Sequence, residues 1–300
     1  MTLSAYPTVN DMSGINYEKM NIQWFPGHMT KAQRMIEDSI KQVDAVCEIL
    51  DARIPNSSRN PDIDRLASGK PRLIILNRTD LADPEITAQW RVFFEAQGIK
   101  ILETDAKSGK GVNGFAPALR ELLKNKIADY AAKGQVNRPM RVMILGIPNV
   151  GKSTFINKVA KRKAAIAGDK PGVTRGKQWI NIDKGLDLLD TPGILWPKFD
   201  SQEVGEMLAI TNAIKADVLD KETLAANFML RLRDMYPEAL TARYKFEPDP
   251  EMNGFELLEE AAKKRGFLVS KGEYDIERMA NTLLGEYHDG KLGRISLEKP

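Results

Sequence analysis

The sequence predicts an α/β fold, a largely parallel sheet covered by helices on both faces, followed by a smaller all-helical region. Three observations predict it. Short apolar runs alternate with helix-period segments between about residues 30 and 190. A glycine-rich loop, Gly146-Ile147-Pro148-Asn149-Val150-Gly151-Lys152-Ser153, joins one such run to an apolar helix. After about residue 202 the strand signal stops and only helical periodicity remains.

The elements follow in order. Thr30-x-x-Gln33 reads as a capping box opening a helix whose Met35, Ile36, Ile40 and Val43 share one face. Ala45–Leu50 is a mostly buried strand ending at Asp51, and Leu73–Leu76 a second ending at Asn77. Ile86–Gln97 is helical, Ile99–Leu102 is a third strand, and Val112–Tyr130 reads as one helix carrying Pro117 early. Residues 131–139 form a polar linker, and Arg141–Leu145 is a fourth strand running into Gly146. Gln178–Ile182 and Leu186–Asp190 flank the turn signal Asp183-Lys184-Gly185, which predicts an antiparallel hairpin at or near the sheet edge. Val204–Ala216, Lys221–Met235, Phe255–Lys264 and Asp275–Glu286 are the expected helices of the C-terminal region.

At 300 residues the chain has the length of about two domains. Its 42% hydrophobic and 28% charged content is that of a globular chain. One cysteine, Cys47, excludes an intramolecular disulfide, and two histidines, His28 and His288, argue against a His-rich metal site. No apolar run approaches the ~18 residues of a membrane span, so no membrane partner is expected, and a cytoplasmic, monomeric protein is. Residues 1–19 have neither an apolar signal core nor an Arg-rich bias and are expected to be disordered. Organised sequence begins near Met20, itself an alternative start. The net charge of +3 hides an asymmetry: residues 1–204 hold 30 basic against 23 acidic side chains, residues 205–300 hold 14 against 18. A basic front portion suggests a polyanion, or simply a solvated lysine-rich surface.

The glycine-rich loop matches G-x-x-x-x-G-K-[ST] in its strand–loop–helix setting. Backbone N–H groups from Asn149 through Val150, Gly151, Lys152, Ser153 and Thr154 can cradle phosphate oxygens at the helix N-terminus. Lys152 is expected to reach the outer phosphates and the Ser153 hydroxyl to ligate Mg²⁺. Asp190-Thr191-Pro192-Gly193 closes the hairpin's second strand. Asp190 can hold Mg²⁺ through water, and the Gly193 N–H can meet a γ-phosphate. Between them, Pro171-Gly172-Val173-Thr174-Arg175 offers Thr174 as a switch threonine completing the Mg²⁺ shell.

Asn77-Arg78-Thr79-Asp80 resembles the guanine-reading N-K-x-D pattern, with Arg78 in place of lysine. The Asp80 carboxylate can accept from the ring N–H and exocyclic amine of guanine, which selects GTP over ATP. Asn77 contacts the base edge or ties this loop to the phosphate loop, and the Arg78 stem and guanidinium can cover the base. Thr104-Asp105-Ala106-Lys107 resembles the loop whose backbone supports the guanine oxygen.

These base motifs precede the phosphate motifs, the reverse of the usual order. The chain is thus expected to be a circularly permuted P-loop NTPase G domain (motif order G4-G5-G1-G2-G3) at 20–200, with a helical domain at 202–300. The permutation runs the γ-phosphate-sensing segment straight into the helical domain, a lever for nucleotide-dependent partner binding. With Trp24-Phe25-Pro26-Gly27-His28-Met29 in front, Asp51-Ala52-Arg53-Ile54-Pro55 after the first strand, and Asp275-x-x-Arg278 and Gly290-Lys291-Leu292-Gly293-Arg294 in the tail, the sequence closely resembles the ribosome biogenesis GTPase A family (YlqF type) from about residue 20 to 300.

The resemblance implies a GTPase acting late in assembly of the large ribosomal subunit, binding ribosomal RNA and stimulated by the particle. Ile194 stands after Gly193, where Ras-type enzymes place a water-orienting glutamine, and it cannot hydrogen-bond water. The family's proposed substitute maps onto His28, which either assists the water directly or caps a helix or contacts RNA phosphate. Asn149 either helps hold a K⁺ ion, as in similar GTPases, or stabilises its loop. Lys161-Arg162-Lys163, Lys170, Arg175, Lys177, and Lys31, Arg34 and Lys41 are basic side chains suited to RNA phosphates. Two other classes remain open: a regulatory GTPase acting on a protein effector without RNA, and a small-molecule kinase, against which Asp80 and the switch motifs speak.

Overall fold

The computed structural model describes residues 28–161, 178–191, 193–195, 199, 201–214, 220–269 and 272–300. Gln23–Phe199 form one compact unit, and Asp200–Pro300 belong to another.

In the first unit, helix α1 (His28–Ile40) leads to β1 (Ala45–Asp51), a short α2 (Asp62–Leu66), β2 (Arg72–Asn77), α3 (Pro84–Ala96) and β3 (Lys100–Thr104). A 3₁₀ turn at Val112–Gly114 precedes α4 (Phe115–Leu122) and α5 (Lys124–Ala132); β4 (Met140–Leu145), α6 (Lys152–Val159), β5 (Gln178–Asp183) and β6 (Leu186–Asp190) follow. The six strands form one sheet in the order β3-β2-β1-β4-β6-β5, parallel except for β5 at the edge. Every residue of β1 is buried, as expected for an inner strand covered on both faces. The registers pair Asp51 with Asn77, Asn77 with Thr104 and Ile144 with Asp190. The carboxyl ends of β1, β2, β3, β4 and β6 therefore open on one side, where an open α/β sheet binds ligands.

One face of the sheet carries a cluster of Ile36, Ile40 and Val43 with Val46, Met143, Leu145, Leu189 and Ile194. Ile36 and Ile40 are the part of the expected stripe that α1 buries here; Met35 is only half-buried, Val43 follows the helix, and the helix begins at His28. Thr30 lies inside its first turn, so Thr30-x-x-Gln33 is not its cap. The expected single helix over 112–130 is broken at Leu123, whose φ of −103° and ψ of 7° leave the helical region. The second piece runs on to Ala132, shortening the linker from its N-terminal side. Its Tyr130 hydroxyl donates to Asp44 at 3.1 Å, and Lys126 pairs with the same carboxylate at 2.8 Å. The joint between the permuted halves is thus anchored just ahead of β1.

The second unit comprises α7 (Gln202–Ile210), α8 (Lys221–Met235), α9 (Pro237–Tyr244), α10 (Gly254–Arg265) and α11 (Ile276–His288). Its centre is α8, buried continuously from Leu224 to Leu232 and packed against α10 and α11. The Asp220 side chain accepts from Glu222 and Thr223 N–H at the start of α8, and Asn253 and Glu256 close a full capping box on α10. The α9 helix had no counterpart in the sequence reading, although Pro237 at its first position is a start signal. The tail returns to the bundle, where the Tyr236 hydroxyl donates to Ser296 O at 3.0 Å. Glu206 and Arg231 are buried within this unit, 3.9 Å apart. Among the described residues no helix is long and apolar enough to cross a membrane.

Candidate functional site

Residues 146–151 form the turn between β4 and α6, and Lys152 and Ser153 open that helix. Two residues give it its curvature: Asn149 at φ 60° and Gly151 at φ 89°, the latter directly before the helix. Asparagine tolerates the left-handed region and glycine adopts it freely. A side chain at Gly151 would also run into the Asn77 amide. The first N–H groups of α6 and its dipole face the loop's mouth, a ready anion site.

Lys152 is buried, and its Nζ donates to the Thr191 carbonyl and lies 4.0 Å from Asp190 Oδ1. Burial pulls its pKa down to about 8, against the upward pull of the Asp190 charge. Burial likewise pushes Asp190 above the ordinary aspartate value, although Lys152 and the Thr191 N–H draw it down. The Thr191 hydroxyl donates to Ile144 O at 2.7 Å and the Ile194 N–H to Gly146 O at 3.2 Å. These bonds stitch the Asp190–Gly193 segment to the start of the phosphate loop. At Gly193 a Cβ would sit 2.9 Å from Pro148 N, so only glycine allows this approach. Ser153 and Thr154 are half-buried in the first turn of α6.

Asn77 joins the base-reading loop to the phosphate loop. Its Nδ2 donates to Val150 O at 2.7 Å, while its Oδ1 accepts from the Thr104 hydroxyl at 3.1 Å and from the Ala106 N–H at 3.0 Å. Of the two tasks the sequence left open for Asn77, tying the loops is the one these bonds perform. The Arg78 guanidinium donates to the Asn149 carbonyl. Asp105 Oδ1 accepts from the Lys107 and Ser108 N–H groups at 2.8 and 3.2 Å, shaping the turn after β3. Asp80 is exposed; desolvation by neighbouring protein atoms and the Asp105 charge raise its pKa.

The structure thus brings Asn77, Arg78, Asp80, Asp105, Ala106, Lys107, Asn149, Val150, Gly151, Lys152, Ser153, Asp190 and Gly193 to one end of the sheet. Thr174 and its neighbours Lys170, Arg175 and Lys177 lie outside the described residues, as do Arg162, Lys163 and the side chain of Lys31. His28 is the first residue of α1, and its side chain also lies outside the described set. Ile194 is only 2% exposed and packs into the α1 cluster. Sequence reasoning treated it as a failed water-orienting residue, whereas its side chain serves the core. Thr104 was read only as part of the loop beside the guanine oxygen; its hydroxyl fixes Asn77.

A central phosphate loop, an Asp-x-x-Gly segment stitched to it and a base-reading loop tied across it define a P-loop GTPase. Its chain order makes the G domain circularly permuted. Residues 141–235 match the 50S ribosome-binding GTPase family model. The ribosome biogenesis GTPase A of Bacillus licheniformis is 46% identical over 281 residues, 94% of this chain and 99% of that protein. The Thermotoga maritima protein of the same name is 33% identical over 93% of this chain and 95% of its own length. The crystal structure of GNP-bound YlqF from T. maritima superposes with a TM-score of 0.62 at 30% identity, covering 90% of this chain and 98% of that one. The chain belongs to the ribosome biogenesis GTPase A family.

Proposed function

We propose that this GTPase acts late in the maturation of the large ribosomal subunit in the cytoplasm, binding ribosomal RNA according to its nucleotide state and hydrolysing GTP when the particle stimulates it. One observation carries the reading: base-reading and phosphate loops tied by Asn77, in a chain matching proteins named for ribosome biogenesis over their full length.

In this reading the α6 N-terminus and Lys152 receive the β- and γ-phosphates, with Lys152 moving from the Thr191 carbonyl to phosphate oxygen. Asp80 reads the guanine edge, and Ala106 and Lys107 supply its backbone wall. The residues fit Mg²⁺: Asp190 Oδ1 is buried with no hydrogen-bond partner, and Ser153 directly follows Lys152, whose Nζ lies 4.0 Å from that oxygen. Ser153 and Thr174 would hold the ion directly and Asp190 through water. When bound, it neutralises charge on the transferring phosphoryl group. Asn149, half-buried at the loop, is the residue offered to K⁺. With Ile194 committed to the core, the attacking water needs another orienting group. His28 is that group, at the start of the helix whose Ile36 packs in the cluster that holds Ile194.

For RNA, the basic side chains of the G domain carry more weight than those of the helical unit. Lys263 and Lys264 pair with Glu260, Arg265 with Glu286 and Lys291 with Asp289. Arg34 and Lys41 are exposed on or just after α1. Sedimentation with purified large subunits tests the proposal. Capture with a non-hydrolysable GTP analogue, release with GDP and a steep loss with salt are expected. Equal sedimentation with either nucleotide, with capture of a soluble protein instead, would favour an effector switch.

A further inference from the structure

Asp51 and Arg53 lie outside the loops assigned to the nucleotide, yet they form a deeply buried ion pair beside them. Asp51 ends β1 next to Asn77, and the Ala52 N–H donates to Asn77 O at 2.8 Å. The Asp51 carboxylate accepts from the Arg53 backbone N–H at 3.1 Å, from Nε at 2.9 Å and from NH2 at 2.8 Å. Arg53 is 0% and Asp51 3% exposed. The Asp51 N–H donates to Ser58 Oγ at 3.0 Å, fixing the turn from behind. Burying such a pair costs desolvation, so a role beyond stability is worth seeking.

Its other side supplies one. Asp51 Oδ2 lies 3.8 Å from Nε of Arg78, whose NH2 donates to the Asn149 carbonyl in the phosphate loop. Arg78 stands at φ 68°, in a region that disfavours a long side chain and must be held by its surroundings. We infer that Asp51 and Arg53 are positioning residues for guanine-nucleotide binding: the pair aims the Arg78 guanidinium at the Asn149 carbonyl and so locks the base-reading loop onto the phosphate loop. The inference rests on the nucleotide site proposed above.

Charge balance explains why both members are needed. A lysine at Arg78 would present a compact point charge; a guanidinium is a planar fork that works only when oriented. Asp51 orients it through Nε and leaves NH2 for the phosphate loop. Arg53 occupies both carboxylate oxygens, so Asp51 steers Arg78 without capturing it. Removing Arg53 frees the carboxylate to draw Arg78 away from Asn149, and removing the Asp51 charge weakens the hold on the fork.

The test is a double-mutant cycle on the full chain, reading GDP and non-hydrolysable GTP-analogue affinity with a fluorescent nucleotide. Asp51→Asn is expected to raise both Kd values together by about tenfold, through KM rather than kcat. Arg78→Ala should do the same, and the double variant should be no weaker than Arg78→Ala, because Asp51 acts through Arg78. If Asp51→Asn fails to fold, Arg53→Lys should raise Kd by about threefold while keeping the charge. Wild-type affinity in Asp51→Asn, or losses that multiply in the double variant, would overturn the relay alone. Failure of the wild-type chain to bind either nucleotide would overturn the site itself.

Discussion

Nucleotide binding above pH 8 should take up a proton at Lys152. In the nucleotide-free protein burial lowers this ammonium to about 8, with the single Asp190 charge 4.0 Å away as compensation. Two or three phosphates add several negative charges and restore its pKa to above ~10. At pH 8.5 only about a quarter of free molecules carry the charge, so binding should absorb about 0.8 proton; at pH 7 it should absorb about 0.1. GDP's own phosphate, with a second pKa of ~6, is ionised at both values. The sign is fixed: affinity is complete below about 8 and falls as pH rises, approaching tenfold per unit. Isothermal titration of GDP in two buffers of different ionisation enthalpy measures the uptake directly. Uptake near zero at pH 8.5 with unchanged affinity would refute the buried-lysine argument.

Three other outcomes are expected. Asp80→Asn exchanges an acceptor pair for an amide, so preference should move from GTP towards xanthosine triphosphate by at least tenfold in competition binding. His28→Ala should lower subunit-stimulated kcat by about a hundredfold while GTP affinity changes less than threefold; equal kcat would remove His28 from the chemistry. Glu206, buried near Arg231, is pushed up to about 7 by burial. Its folded pKa exceeds its unfolded one, so its contribution is complete below about 4.5 and falls by up to about 3 kcal/mol as pH rises through 7. Denaturant unfolding at pH 5 and 7.5 should show that slope in the wild type and lose it in Glu206→Gln.

The motifs were legible because their chemistry is local in sequence: Gly151 and Lys152 sit where a turn must feed a helix, and Asp190 ends a strand. What stayed hidden depends on partners far along the chain. Asn77 meets Val150 across 73 positions and Arg78 meets Asn149 across 71. Spacing cannot reveal such contacts until the sheet order is known. The same holds for Ile194, whose packing on Ile36 needs α1 laid over the sheet. The break at Leu123 was hidden for a different reason. Apolar residues continue at helical spacing through it, and only the backbone angles part α4 from α5. Asp51 and Arg53 were visible as a sequence resemblance but not as a contact with Arg78.

Stimulation of GTP hydrolysis at this site by the large ribosomal subunit is read out by titrating purified large subunits into a GTPase assay in K⁺ and then in Na⁺. Slow turnover alone and a rise of at least tenfold with large subunits, greater in K⁺ and abolished in Lys152→Ala, are expected. Turnover indifferent to the subunits, or stimulated equally in Lys152→Ala, would contradict stimulation at this site.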